Sequence, residues 1–135
     1  MIEGGCLCGA VRYRAEGEPL FAVHCHCRDC QRASGTGHVP ALGMRRDLFS
    51  FTGNTSSYAT VGSTKGKAVR HFCPVCGSLM FGLPESLPQM VSLYVGTLDD
   101  PSVFAPSIIV FASQRHEWDR LAAALPEFET LPPRR

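Results

Sequence analysis

Apolar and polar residues alternate over short stretches for most of this chain, beginning with Ala10-Val11-Arg12-Tyr13-Arg14, the pattern of a half-buried strand. Similar segments at 20–23, 37–42, 48–52, 57–61, 68–72, 78–81, 90–95 and 108–111 predict eight further short strands. The first two, separated by a turn near Gly17 and Pro19, are expected to pair as a hairpin. Ten prolines and thirteen glycines punctuate the sequence and exclude long helices over most of it. Strands of this number and length predict a mainly β fold, either a curled sheet or two packed antiparallel sheets. Helical spacing is clearest late, at Trp118, Leu121, Ala122 and Leu125, and Pro126 stops it. Single helical turns are expected at 29–33, ended by Gly35, and after Asp99, beside Pro101.

A length of 135 residues with 44% hydrophobic residues predicts one domain, 1–135, with a modest core. Thirteen basic against twelve acidic residues give a formal charge of +1, too little for a broad electropositive field. Nucleic acid and anionic membrane are therefore not the expected partners, and a small-molecule ligand is. The opening residues MIEGGCLCGA lack the basic and continuously apolar segments of a secretory leader, and no apolar run is long enough to cross a bilayer. The expected location is cytoplasmic, where thiols stay reduced.

Seven cysteines then need a use other than disulfides, and an odd number would leave one unpaired. They fall in three clusters: Cys6-x-Cys8, Cys25-x-Cys27-x-x-Cys30 and Cys73-x-x-Cys76. Cys73-Pro74-Val75-Cys76-Gly77 reads as a zinc knuckle, with two thiolates on a tight turn closed by a glycine. Cys6, Cys8, Cys73 and Cys76 together supply the four protein ligands of a closed, structural zinc site and tie distant parts of the chain. Cys25, Cys27 and Cys30 can hold a second zinc ion from one loop while leaving its fourth corner without an obvious protein ligand, the arrangement of a catalytic ion.

His24, His26 and His38 are the nearby alternatives for that corner, which would make the second site structural as well. His24 and His26 flank Cys25, so an extended segment would send their side chains to the opposite face. Arg28 and Arg32 are four residues apart and would share a helical face able to bind a substrate carboxylate. The segment Gln114-Arg115-His116-Glu117-Trp118 could either line a pocket over the metal loop, with His116 as a substrate contact, or cap a helix anchored by Trp118.

The motifs Gly5-Cys6-Leu7-Cys8-Gly9-Ala10-Val11, Cys25-His26-Cys27-Arg28-Asp29-Cys30-Gln31, Ser34-Gly35 and Phe72-Cys73-Pro74-Val75-Cys76-Gly77-Ser78, with the late Trp118 segment, resemble the glutathione-dependent formaldehyde-activating enzyme family. That resemblance spans nearly the whole chain. It implies a compact Mss4-like β fold with one structural zinc on Cys6, Cys8, Cys73 and Cys76 and one catalytic zinc on Cys25, Cys27 and Cys30. It also implies a carbon-sulfur lyase run in the synthetic direction, joining glutathione and formaldehyde as S-hydroxymethylglutathione. The general acid stays open among His24, His26, His38, Asp29 and water. A related enzyme with another thiol or carbonyl, or a non-enzymatic zinc-stabilised binding module, are the other readings.

Overall fold

A computed structural model describes residues 1–61, 66–120 and 125–133. Its ten strands are β1 (Ile2–Gly5), β2 (Arg12–Ala15), β3 (Phe21–Cys25), β4 (Val39–Arg45), β5 (Phe49–Thr52), β6 (Ser56–Val61), β7 (Lys67–Phe72), β8 (Leu79–Pro84), β9 (Met90–Tyr94) and β10 (Ile108–Val110). One helix, α1 (Arg28–Ser34), follows β3 and ends at Gly35, whose φ of 73° is the left-handed conformation that favours glycine.

The strands form two sheets: a small one ordered β1-β2-β5 and a large one ordered β10-β3-β4-β9-β8-β7-β6. All pairs are antiparallel except β10 with β3. The mainly β expectation of packed sheets is met, but the expected hairpin is not. β2 pairs with β1 and β5, whereas β3 pairs with β4 and β10, so the turn near Gly17 carries the chain from one sheet to the other. β1 was not anticipated because half of it is glycine. A Cβ on Gly4 would lie 2.4 Å from both the Tyr13 hydroxyl and the Thr97 carbonyl, so close approach selects glycine inside this strand. The turn near Pro101 forms, with Asp100 rather than Asp99 accepting at its start. The late helix expected from Trp118 to Leu125 falls largely outside the described residues, and Glu117–Asp119 is a single 3-10 turn.

Alternation along the large sheet assigns its two faces opposite tasks. Leu42, Met44, Val91 and Leu93 point to one face and pack with Tyr13 and Ala15 of the small sheet in the core. Ala41, Val23, Ser92 and Gly82 belong to the other face, which lines a cavity of about 490 Å³. Gly43, also on that second face, sits opposite Phe21, and a Cβ there would fall 2.2 Å from the ring. Gly43→Ala is therefore expected to displace Phe21 and cost about 1–3 kcal/mol, read as a lower midpoint in thermal or urea unfolding.

Candidate metal centre and cavity

Two knuckles built alike bring the first and last cysteine clusters together. At the first, the Val11 N–H donates to Cys6 Sγ at 3.3 Å and Gly9 takes a φ of 83°. At the second, the Val75 N–H donates to Cys73 Sγ at 3.4 Å and Gly77 takes a φ of 78°. The register of β7 against β8 shifts between His71 and Phe72, a bulge that steers the chain into this second knuckle. The Leu7 N–H donates to Ser78 Oγ at 3.0 Å and links the two turns directly.

The Sγ atoms of Cys6 and Cys8 are 3.6 Å apart and those of Cys8 and Cys73 3.8 Å. All four sulfurs of Cys6, Cys8, Cys73 and Cys76 lie within 4.8 Å of one another. Thiolates held about 2.3 Å from one tetrahedral ion are spaced at about 3.8 Å, whereas a disulfide would bring two of them to about 2 Å. The donor set and spacing fit a metal. Ser78, donating from its hydroxyl and its backbone N–H, brings the Cys76 thiol down to about 5, so this ligand is ready to ionise.

Cys25, Cys27 and Cys30 form a second set, with the same mutual limit of 4.8 Å and with Cys25 and Cys30 sulfurs 3.5 Å apart. Among the described residues no fourth histidine, cysteine or acid joins them. Cys25 ends β3, Cys27 is the N-cap of α1, and Cys30 lies in the first turn of that helix. Cys27 Sγ accepts the Cys30 N–H at 3.1 Å, which sets this sulfur at the positive end of a helix. Bonding from Cys25 and Cys30 pulls the Cys27 thiol down, and the same Cys25–Cys27 contact pushes Cys25 up. The three thiols hydrogen-bond one another, so ionising all of them together calls for a compensating positive charge.

Arg70 supplies part of that compensation. Its buried guanidinium donates from Nη1 to Thr60 Oγ1 at 3.0 Å and from Nη2 to Cys30 Sγ at 3.7 Å, while Nε has no hydrogen-bond partner. Three thiolates around a divalent ion carry one net negative charge, which one arginine cancels. Arg70 also divides two spaces. One is the cavity on the open face of the large sheet, whose wall includes Cys25, Cys30, Tyr94 and Phe111 and is mostly hydrocarbon. Burial pushes the Tyr94 hydroxyl up to about 12, so it remains a neutral donor. Phe111, with φ of 54°, is the one non-glycine among the described residues in the left-handed region, a cost of about 1–2 kcal/mol spent where the chain leaves β10 at the cavity rim. The other space, about 360 Å³, is more polar and is bordered by Asp29, Arg32, Tyr58, Thr60 and Arg70.

Of the expected substrate contacts, only Arg32 borders either space. Arg28 hydrogen-bonds Gln31, lies 3.4 Å from His116 Nε2, and donates its backbone N–H to Gln114 Oε1 at 2.7 Å. His116 stacks on Trp118 with ring planes 7° apart. Gln31 is buried and donates from Nε2 to the carbonyls of His26 and Gln114, clamping the three-cysteine loop to the C-terminal segment. His24 and His26 do turn to the face opposite Cys25, where they meet His38. His71 instead stacks on Phe81, centroids 4.9 Å apart. Arg70 and Tyr94 were absent from the sequence-based candidates; the one signal for Arg70 is a lone arginine within Ala68-Val69-Arg70-His71-Phe72, a segment otherwise suited to burial.

No described helix is long and apolar enough to cross a membrane. The crystal structure of a Rhodobacter sphaeroides protein, solved in a structural genomics programme, superposes with a TM-score of 0.60 at 24% identity, over 79% of this chain and 98% of that one, and so shares the fold. A Halomonas elongata protein provisionally named glutathione-dependent formaldehyde-activating enzyme is 31% identical over 104 residues, 73% of this chain. The match covers 66% of that relative, just under two thirds of its length. Residues 1–114 match the family described as glutathione-dependent formaldehyde-activating enzyme, with all three cysteine clusters inside the matched region. The chain belongs to the glutathione-dependent formaldehyde-activating enzyme family.

Proposed function

We propose that this protein is a zinc-dependent carbon-sulfur lyase working in the synthetic direction, joining a thiol to an aldehyde, with glutathione and formaldehyde as the pair its family suggests. The observation that carries this reading is a three-thiol cluster, with no fourth protein donor among the described residues, whose Cys25 and Cys30 form part of a cavity wall. Cys25, Cys27 and Cys30 would hold the catalytic ion, and Cys6, Cys8, Cys73 and Cys76 a structural one. Zinc held by the three thiolates would favour the ionised form of an incoming thiol and polarise a carbonyl.

The rest of the work falls to the chain. The N-terminus of α1 and Arg70 hold the thiolate loop in its charged form through donors to Cys27 and Cys30. The hydrocarbon wall would lower the polarity around the reacting groups and so strengthen those polar contacts. Tyr94, neutral on the same wall, would donate its proton to a developing oxygen anion, and Arg32 beside the polar space would offer a fork for a carboxylate of the thiol. The apolar wall also favours a second version of this reading, in which the carbonyl carries a hydrocarbon group larger than hydrogen.

The test is direct: zinc-loaded protein is mixed with glutathione and formaldehyde, and adduct formation and breakdown are followed by NMR. Accelerated exchange in both directions supports the proposal, whereas unchanged rates together with no thiol binding would sink it. A variant refines it. Arg70→Met is expected to weaken metal retention by the three-cysteine loop about 10–100-fold in chelator competition, the range seen when a group supporting a ligand is removed.

A further inference from the structure

Behind the metal loop, on the face of β3 opposite the cavity, a third group of donors converges. His38 Nδ1 lies 2.7 Å from Asp119 Oδ2, and His26 Nδ1 lies 3.2 Å from the same oxygen. One donor atom from each residue falls within 4.8 Å of the others. We propose that His26, His38 and Asp119 form a third metal site, taking one divalent ion of the zinc, cobalt or iron(II) type.

Four features set this cluster apart from a chance hydrogen bond. Donors bound about 2.1 Å from a single tetrahedral ion are spaced at about 3.4 Å, close to the 3.2 Å between His26 Nδ1 and the carboxylate, while His38 Nδ1, at the hydrogen-bonding distance of 2.7 Å, would draw back slightly to share the ion. His26 is buried, yet its Nδ1 has no hydrogen-bond partner, since the nearby carboxylate lies outside bonding geometry. Leaving a buried nitrogen unpaired is costly, and an ion between His26 and Asp119 removes that cost. The backbone makes room for the carboxylate: a Cβ on Gly37 would fall 2.7 Å from Asp119 Cγ. The His38 ring is held edge-on by His24 at 4.9 Å, while about a quarter of its side chain reaches solvent, leaving access for water at the remaining coordination positions.

Two imidazoles and one carboxylate suit borderline ions, unlike the thiolate sets, which favour softer ones. The site has a structural consequence too. His26 stands between Cys25 and Cys27, and Asp119 ends the C-terminal turn Glu117–Asp119, so one ion would fasten that turn to the back of the metal loop. This inference does not depend on the proposed reaction.

The test is a count. The full chain is saturated with cobalt(II), freed of excess ion, and its bound metal is measured alongside its visible spectrum. The expected result is three ions per chain, the third adding weak visible bands without further thiolate-to-cobalt charge transfer. Asp119→Asn and His38→Ala should each lower the third affinity by about 100-fold or more while the thiolate bands persist, which also reports an intact fold. Gly37→Ala, which removes no ligand, should weaken the same ion by crowding Asp119. A wild-type chain that binds no more than two ions overturns the proposal, and so does a third ion that survives the Asp119 and His38 substitutions. Should either substitution lose the thiolate bands, the wild-type count and the Gly37 variant decide.

Discussion

Cys73→Ser is expected to abolish stable folding rather than to trim it. Cys73 is fully buried in the shared core, among residues contributed by both sheets. Its thiol belongs to the four-cysteine set that joins the knuckle before β2 to the knuckle between β7 and β8. Structural zinc contributes about 10–16 kcal/mol in small zinc modules, while whole domains are stable by only about 5–15 kcal/mol. Losing one of four ligands therefore removes an amount comparable to everything that keeps the fold together. Circular dichroism and a thermal melt check this: the variant should show no cooperative transition at 25 °C, and exhaustive chelation of the wild type should have the same effect. A melting curve unchanged by either treatment would show that the sheets hold without the ion.

What could be read from the sequence, and what could not, divides along a physical line. The cysteine clusters were legible because thiolate geometry is local: Cys73-Pro74-Val75-Cys76-Gly77 already contains its turn and its left-handed glycine. Most strands were legible from alternation, and Gly35 marked the end of α1 correctly. Pairing was not, because the hairpin inferred near Gly17 is equally consistent with a turn that changes sheets, and only packing of Tyr13 and Ala15 against the large sheet decides between them. β1 was hidden because glycines chosen for close approach look the same in sequence as glycines chosen for turns. Arg70 and Asp119 were missed for a related reason. Each lies far in sequence from the group it serves, Arg70 forty residues from Cys30 and Asp119 eighty-one from His38. Long-range polar partners leave no periodic trace.

Cys27→Ser should do the opposite of Cys73→Ser, removing activity while leaving the fold in place. Cys27 is the N-cap of α1, and its sulfur accepts the Cys30 N–H. Serine is among the preferred N-cap residues, so its hydroxyl preserves that bond and the helix start. It does not preserve the charge. Hydrogen bonds from Cys25 and Cys30 hold the Cys27 thiol below its ordinary value, whereas a serine hydroxyl in its place stays neutral. The loop would then offer two thiolates, which a divalent ion alone neutralises, so the Arg70 charge would be left uncancelled and the ion would be held weakly. The expected result is a fall in kcat/KM for adduct formation of at least about 100-fold, the upper end of what loss of a supporting partner alone produces. The unfolding midpoint should move little, because the four-cysteine set and the core are untouched. If both substitutions unfold the chain, the three-cysteine ion is structural and the enzyme reading fails. If Cys27→Ser keeps full turnover, the reaction does not depend on this loop.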